Sequence, residues 1–362
     1  MSHLIDTLKQ VPDFRSAHGR IHPLWLLLLL MVMGMLAGYQ GYRPLETFVS
    51  DYRQPLSELL GLESLEVPSH CTFRRVMKGL DFQALSHQFE AWMLSKAQTH
   101  SPDNYAASID GKRIRQGLTD AKGKQRFVGL VSLFAVEAGI TLKLEALTQE
   151  DNSEIKVVQA LLETLQLDGL LITMDALHAQ KTLEKIVASG NDYLVAVKSN
   201  QGRLYDHLQT YFECLKPMAE HIHSAQSRGR DEHRCIQVYE PVGIALQEWT
   251  AIRSVLCVQR WGTKQGKEYH NTAYYISSAA TSPQHWQSLV REHWGIENRL
   301  HWPKDVVFGE DDYRLEDEQA LLNWSVLRTI GINILRLNDY QSLKTAMTKL
   351  ANRVDIIFSL LT

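Results

Sequence analysis

The chain has 362 residues, 44% of them hydrophobic and 22% charged, a composition that argues against bulk disorder and allows one large core or two modest ones. The formal net charge of −3 excludes a surface that is basic throughout, although it leaves room for a local basic groove. The four cysteines lie singly, without framework spacing, which argues against a zinc ribbon or a disulfide scaffold and favours the reducing cytoplasm. They are Cys71, Cys214, Cys235 and Cys257.

Residues 1–95 have the pattern of a small all-helical domain, with apolar residues recurring at helical spacing. The longest apolar run, residues 24–37, is about 14 residues long, where a membrane span needs ~20. Pro23 stands where a helix places its first residue. We therefore predict a buried core helix after Pro23 and no membrane contact. The long segment before this run contains Asp6 and Asp13, which argues against a secretory signal peptide.

The pattern changes from about residue 105. Alternating and apolar runs predict strands at 105–109, 127–136 and 141–147, then a helix at 152–165, a strand at 170–174, a helix at 180–188 and a strand at 193–197. This is the order of a ribonuclease-H-like α/β core. Residues 203–282 favour strands and helical spacing returns at about 283. We predict four segments: 1–95, 100–202 as the first part of the core, 203–282 as a strand-rich insertion, and 283–362 as the helical remainder of the core.

Two aspartates stand where catalytic carboxylates would meet in such a core. We predict that Asp110 closes its first strand and Asp175 its fourth, and these two strands lie side by side in that fold. Phosphoryl transfer on DNA commonly uses two divalent cations bridged by carboxylates, and magnesium prefers oxygen ligands. Simpler roles remain open for each residue, because Asp110-Gly111 is also a strong hairpin-turn pair and Asp175 could cap the next helix.

A third carboxylate comes from the C-terminal part. On a continuous helix, His293, Glu297 and His301 would share one face at i, i+4 and i+8. Such a face suits either a third metal ligand with phosphate-binding neighbours or a zinc site, whereas a lone glutamate on a helix is usually solvated.

The sequence resembles the insertion-sequence DDE transposases of the H-repeat-associated type. The motifs that carry the resemblance are Ser-Ile-Asp-Gly-Lys at 108–112, Ile-Thr-Met-Asp-Ala-Leu-His-Ala-Gln at 172–180, Asp-Tyr-Leu-Val-Ala-Val-Lys-Ser-Asn-Gln at 192–201 and His-Trp-Gly-Ile-Glu-Asn-Arg-Leu-His-Trp at 293–302. Residues 11–15 and 68–76 resemble the amino-terminal associated domain of that family, and 305–311 its carboxy-terminal signature.

The resemblance implies an α/β ribonuclease-H-like core, with a strand-rich insertion and a helical N-terminal domain that binds DNA. Asp110, Asp175 and Glu297 would be the catalytic triad and the ligands of Mg²⁺ or Mn²⁺, with two ions in the site. The implied activity is DNA strand cleavage and strand transfer at the ends of an insertion sequence. The implied partner is double-stranded DNA, both terminal inverted repeats and target, bound in the cytoplasm by a homodimer, since two element ends are cut.

Basic and aromatic residues around these motifs are candidate DNA contacts. Part of them lies in a basic segment after Asp110, which also contains Lys122, Lys124 and Arg126. The family often has Arg where this chain has His293 and Tyr where it has Val290, while Lys304 keeps the family's Lys position; Pro303 is expected to disrupt the helix just before it. The candidates are Lys112, Arg113, Arg115, Lys198, Trp261, Arg291, His293 and Lys304.

Three other functions are compatible with the same residues. A metal-dependent DNA nuclease would share the carboxylates but lack strand joining. An inactive derivative would keep the fold for DNA binding alone, although pure binding does not require clustered acid beside phosphate. A zinc hydrolase would use His293 and His301.

Overall fold

The computed structural model describes residues 4–18, 20–100, 106–119, 125–148, 153–176, 180–227, 230–313 and 315–362. The N-terminal region is helical, as predicted. Its helices are α1 (Leu4–Lys9), α2 (Leu24–Leu36), α3 (Tyr42–Asp51), α4 (Arg53–Leu60), α5 (His70–Gly79) and α6 (Phe82–His100).

The central part alternates strands and helices. The elements in chain order are β1 (Ala106–Thr119), β2 (Gln125–Ala135), β3 (Ile140–Thr148), α7 (Glu154–Glu163), β4 (Leu171–Met174), α8 (Gln180–Ala188) and β5 (Asp192–Val197). Then come α9 (Gly202–Cys214), β6 (Ala219–Ser227), β7 (Arg230–Tyr239), α10 (Ile244–Gln247), β8 (Ser254–Lys264) and β9 (Lys267–Ser277). The fold is thus α/β. The strands of the described residues lie between Ala106 and Ser277, in the two predicted segments 100–202 and 203–282.

The C-terminal part is helical again. Its helices are α11 (Pro283–Glu292), α12 (Trp302–Val306), α13 (Glu318–Leu337), α14 (Leu343–Leu350) and α15 (Val354–Leu361), with a π-helical stretch at Glu297–His301 between α11 and α12. Pro303 was predicted to disrupt the helix just before Lys304, and this prediction was wrong. Pro303 lies in the first turn of α12, where a proline is tolerated because the N–H groups of that turn have no partner within the helix.

The chain forms two compact units. Unit 1 comprises Met1–Ser101, Gly111–Val157 and Ile296–Thr362, and unit 2 comprises Pro102–Asp110 and Val158–Gly295. The chain passes from one unit to the other just after α6, within β1, within α7 and shortly after α11. The four segments inferred from the sequence remain a prediction of domain organisation.

Two buried helices organise the core of unit 1. Every residue of α2 except Trp25 is buried, as expected for a helix that is apolar on all sides, and α13 is buried from Ala320 to Leu335. Helix α13 packs against α2, α5, α6 and the β2–β3 hairpin. The side chain of Asn333 on α13 exchanges two hydrogen bonds with the backbone of Thr141 at the start of β3. Within the described part of the chain, no helix is both long and apolar enough to cross a membrane.

Unit 2 is built on a mixed sheet. Strand β1 pairs in parallel with β4, and β4 pairs in parallel with β5. Strand β5 then pairs with β9, and β9, β8, β7 and β6 continue as antiparallel neighbours. Helix α11 packs on β6 and β7 and buries Trp286 completely.

A cluster of buried charges lies in unit 1. The carboxylate of Glu310 is almost fully buried and accepts hydrogen bonds from Lys112 Nζ at 2.8 Å and from Ser325 Oγ at 2.6 Å. It also lies 3.7 Å from the guanidinium of Arg328. Lys304 Nζ donates to the same Ser325 hydroxyl at 3.0 Å. Burial alone would raise the pKa of Glu310, but the three cations lower it to about 2, so the carboxylate stays ionised.

The first testable prediction concerns this cluster. Glu310→Gln should lower the free energy of unfolding by roughly 3–5 kcal/mol, because it leaves the buried Lys304 and Arg328 without their counter-charge and removes one of the two carboxylates around Lys112. Urea denaturation followed by circular dichroism measures the loss. Glu318→Gln is the control, since Glu318 is partly exposed and forms an ion pair with Arg126 at 3.0 Å, and it should cost less than about 1 kcal/mol. Equal losses in both variants would contradict a special role for Glu310.

The contribution of Glu310 to the stability of the folded state depends on pH. The folded-state pKa of Glu310 lies near 2, below its ordinary value of 4.5, so its stabilising effect is complete above about 4.5 and is lost as the pH falls towards 2. The difference in stability between the wild type and Glu310→Gln should therefore shrink across that interval.

Candidate active site

The parallel pairing of β1 with β4 brings the two candidate aspartates to the same position in the sheet of unit 2. Ser108 of β1 is in register with Thr173 of β4, and Asp110 and Asp175 each follow two residues later. The hydroxyls of Ser108 and Thr173 are buried and hydrogen-bond to each other at 2.8 Å. Asp175 directly follows the last residue of β4, Met174, as predicted.

The prediction that Asp110 closes its strand was wrong, because β1 continues without a turn to Thr119. The carboxylate of Glu154 packs against the glycine at position 111 within unit 1: a Cβ atom there would lie 2.6 Å from its carboxylate carbon, and the flexible glutamate side chain would have to shift. An Asp-Gly pair in the sequence is therefore compatible with a continuous strand.

Asp175 is ionised and held by two donors. Lys198 Nζ, just after β5, and the backbone N–H of Ala176 each donate to its Oδ1 at 2.7 Å. Partial burial of Asp175 would raise its pKa, but these hydrogen bonds and the charge of Lys198 hold the pKa below its usual value. Lys198, a predicted DNA contact, is well exposed and contacts the candidate metal ligand in this structure.

His293 faces the same strands. It follows α11, and its Nδ1 lies 3.0 Å from the hydroxyl of Thr173, which makes a buried chain of hydrogen bonds from Ser108 through Thr173 to the imidazole. Burial lowers the pKa of His293, although attraction to Asp110 and Asp175 opposes this, so the ring is neutral at neutral pH. His293 was predicted to contact DNA, and here it binds the strand that precedes Asp175.

The predicted continuous helix through His293, Glu297 and His301 is not present. Helix α11 ends at Glu292, a turn follows, and Glu297 begins the π-helical stretch. A π-helix shifts the positions of later residues around the axis, and such insertions are frequent at functional sites. The turn at residues 293–294 interrupts the continuous helix that the i, i+4, i+8 face requires, although Glu297 and His301 keep ligand atoms close to each other.

Glu297 belongs to unit 1, whereas Asp110, Asp175 and His293 belong to unit 2. Glu297 is exposed, and its carboxylate lies within 4.8 Å of a ring nitrogen of His301, which is buried. Two residues beyond Glu297, Arg299 donates a hydrogen bond to the backbone carbonyl of Val136.

Two of the predicted DNA contacts are internal to unit 1. Lys112 Nζ donates to Asp305 Oδ1 at 2.6 Å as well as to Glu310, and these carboxylates raise its pKa although burial lowers it. Lys304 is 2% exposed in the cluster around Glu310, and burial lowers its pKa to about 8. Both side chains neutralise buried acid, so neither presents its ammonium group to solvent for a phosphate.

The other candidates lie nearer the surface. Arg113 is exposed and its guanidinium lies 4.4 Å from the ring centroid of Phe127, while Arg291 is exposed in the last turn of α11. Trp261, on β8, is partly exposed and stacks on His233 with ring centroids 5.5 Å apart. The backbone of Arg115 lies in β1, its side chain is outside the described part of the structure, and Lys122 and Lys124 fall outside the described residues.

Sequence reasoning missed the hydroxyls that flank the aspartates and the buried cluster behind Lys112. A signal for the hydroxyls was present, since Ser108 and Thr173 each stand two residues before an aspartate, on the same face of a strand. The 305–311 motif was noticed, but nothing in its pattern indicated that Glu310 would be buried among three cations.

The family models and the related proteins that match this chain indicate the same family. The family described as Transposase DDE domain matches residues 101–334, and the family described as DDE_Tnp_1-associated matches residues 5–93. The H repeat-associated protein YhhI of Escherichia coli K12 is 31% identical over 350 residues, which cover 92% of this chain and 90% of that protein. YncI of E. coli O157:H7 is 30% identical over 92% of this chain and 87% of its own.

Among solved structures, the piggyBac transposase in a synaptic complex with hairpin DNA aligns with 98% of this chain and 77% of its own, at 10% identity and a TM-score of 0.40, too low to establish a shared fold. The family matches and the relatives suffice without it, and divalent metal use comes with the family. The chain belongs to the DDE transposases of the H repeat-associated type, enzymes that act on DNA.

Proposed function

We propose that Asp110, Asp175 and Glu297 are the catalytic triad of this transposase, and that they hold two divalent ions, Mg²⁺ or Mn²⁺. The observation that carries the proposal is the register of β1 with β4, which gives Asp110 and Asp175 the same position on neighbouring parallel strands. Glu297 joins them by its place in the family motif and by its exposure at the start of a π-helical stretch.

The residues fit such ions chemically. Carboxylate oxygens are the ligands that Mg²⁺ and Mn²⁺ prefer, and Asp175 is kept ionised by its hydrogen bonds. When bound, the ions activate the attacking water or 3′-hydroxyl and stabilise the leaving oxygen. Because the chain belongs to this transposase family, the reaction proposed for it is DNA strand cleavage followed by strand transfer.

Residues around the aspartates set the charge and the position of these proposed ligands. Lys198 keeps Asp175 charged and is exposed enough to contact a phosphate as well. The neutral His293 is anchored on Thr173 and orients its second ring nitrogen without adding positive charge next to the ligands. We assign the buried Ser108–Thr173 pair to fixing the strands under the aspartates.

The proposed DNA surface includes Arg113, Arg291, Lys198 and, through stacking on a base, Trp261. Guanidinium groups suit bidentate phosphate contacts, and an exposed aromatic ring can stack on an unpaired base. Arg115 stays in the proposal on its sequence position alone. Lys112 and Lys304 act instead by holding Glu310, and His293 by contacting Thr173.

The finer architectural proposals follow the family. The order β1, β2, β3, α7, β4, α8, β5, with β1, β4 and β5 parallel, supports a ribonuclease-H-like core. We propose that residues 1–95 recognise the element ends, that a homodimer cuts both ends, and that the protein works on DNA in the cytoplasm, where the free cysteines would stay reduced.

The second testable prediction concerns the triad. Asp110→Asn, Asp175→Asn and Glu297→Gln should each reduce cleavage of element ends by roughly a hundredfold or more, because each removes a charge that stabilises the transition state. Binding of the same DNA, measured by electrophoretic mobility shift, should change little. The solvent-facing Glu184→Gln on α8 is the matched control and should cleave normally. Near-normal cleavage by any one triad variant would remove that residue from the triad.

The third prediction concerns the metal. Purified protein should contain no stoichiometric zinc by elemental analysis, should lose cleavage after chelation, and should regain it with added Mg²⁺ or Mn²⁺. One tightly held zinc per chain, with activity indifferent to Mg²⁺, would instead support the zinc hydrolase.

A substrate with a pre-formed 3′-hydroxyl end and a target plasmid tests strand transfer, and cleavage without joining would identify a nuclease.

The fourth prediction separates phosphate contacts from base reading. Arg113→Ala should weaken binding on all sequences and lower the slope of log affinity against log salt by ~1, because a phosphate contact releases counterions. The exposed Lys181→Ala on α8 is the control and should leave the slope unchanged. A loss of sequence preference at an unchanged slope would show that Arg113 reads bases.

A further inference from the structure

A cavity in unit 1 lies apart from the proposed triad. It has a volume of about 590 Å³, within the range of small-molecule sites, and it is lined by the N-terminal end of α3, one face of α5, the segment before α13 and the first turns of α13. Both the N-terminal region and the C-terminal region contribute to its walls.

Positive charge dominates the described lining of this cavity. Arg43, Arg74 and Lys78 are exposed at its walls and the buried Arg328 contributes from α13, although Lys78 pairs with Asp317 at 3.5 Å and Arg328 with Glu310 at 3.7 Å. Among the residues that the structure describes, Arg43 and Arg74 form no ion pair, and Glu316 is the one acidic residue of the lining. The guanidinium groups of these two arginines are therefore available to an anion that arrives from solvent.

Aromatic rings form the second part of the lining. Tyr42 and Trp324 are in contact, with ring centroids 5.8 Å apart and planes at 51°, and Tyr313 also borders the cavity. Burial raises the pKa of Tyr42, so its hydroxyl stays protonated and remains able to donate a hydrogen bond. Trp324 is only 2% exposed and supports Tyr42 from behind, so the partly exposed rings of Tyr42 and Tyr313 are the ones that can stack on the flat face of a nucleobase.

We propose that this cavity binds a nucleotide, with the base against Tyr42 or Tyr313 and the phosphate against Arg43 and Arg74. A purely apolar ligand would leave the guanidinium groups unused, and a bare phosphate would leave the aromatic wall unused. The nucleotide is either free in solution or one nucleotide of a single-stranded DNA end, and both sources offer the same chemistry. The proposal does not depend on the assignment of the triad.

Isothermal titration of the full chain with AMP and ATP tests the first source. Adenosine, which lacks phosphate, and inorganic tripolyphosphate, which lacks the base, are the reference probes. The test variant is Arg74→Ala, and Arg75→Ala is its matched control, because Arg75 is the next residue on α5, is also exposed, and does not line the cavity. Thermal denaturation of both variants checks that they fold.

The second source is tested by mobility shift with a blunt duplex and with the same duplex carrying a short single-stranded 3′ end. If a free nucleotide is the ligand, AMP or ATP binds more tightly than either reference probe, and Arg74→Ala weakens it roughly tenfold or more while Arg75→Ala does not. If a DNA nucleotide is the ligand, the wild type prefers the single-stranded end and Arg74→Ala alone loses that preference.

Three results would overturn the proposal. The first is neither nucleotide binding nor a preference for the single-stranded end. The second is an equal effect of Arg74→Ala and Arg75→Ala, which would indicate a general charge effect. The third is binding of tripolyphosphate as tight as that of ATP, which would make the cavity an anion site without base recognition.

Discussion

The parallel pairing of β1 with β4 is the constraint on which the site in unit 2 depends. Parallel neighbours run in the same direction, so their carboxyl-terminal ends meet at one edge of the sheet. The register of Ser108 with Thr173 then gives Asp110 and Asp175 equivalent positions. The buried hydrogen bond between the two hydroxyls occupies the interior beneath the carboxylates, where an unpaired hydroxyl would be unfavourable. Lys198 and His293 both act relative to this pair of strands.

Much of this arrangement was predictable because it depends on local patterns. The apolar runs that predicted β4 and β5 are buried on both faces, as strands in parallel sheets are, and Asp175 follows β4 as expected. The apolar residues of α2 likewise identified a buried helix. What local pattern cannot supply is the identity of a partner distant in sequence. Asp110-Gly111 has the local pattern of a turn, whereas the strand continues through it beside the side chain of Glu154, a residue distant in sequence.

The same limitation explains why the internal contacts of two lysines were not foreseen. A basic residue beside a catalytic motif looks like a phosphate contact when the sequence is considered alone. Lys112 and Lys304 instead surround Glu310, which lies close in sequence to Lys304 but far from Lys112. Strand geometry contributes, since neighbouring side chains of β1 point to opposite faces, so that Lys112 is directed inward and Arg113 outward. The π-helical stretch was equally hidden, because its residues have the composition of an ordinary helix.

The ion pair of Lys198 with Asp175 has a consequence for how the enzyme is controlled. An ammonium group occupies one oxygen of Asp175 at 2.7 Å, so on the proposed assignment a divalent ion enters by exchange and not by simple addition. The exchange is more favourable when Lys198 finds another anion, and an incoming phosphodiester is one. Metal affinity and substrate affinity are then reciprocally coupled, each strengthening the other by the same factor. On that assignment, such coupling would favour metal binding, and with it cleavage, in the assembled complex over the free protein.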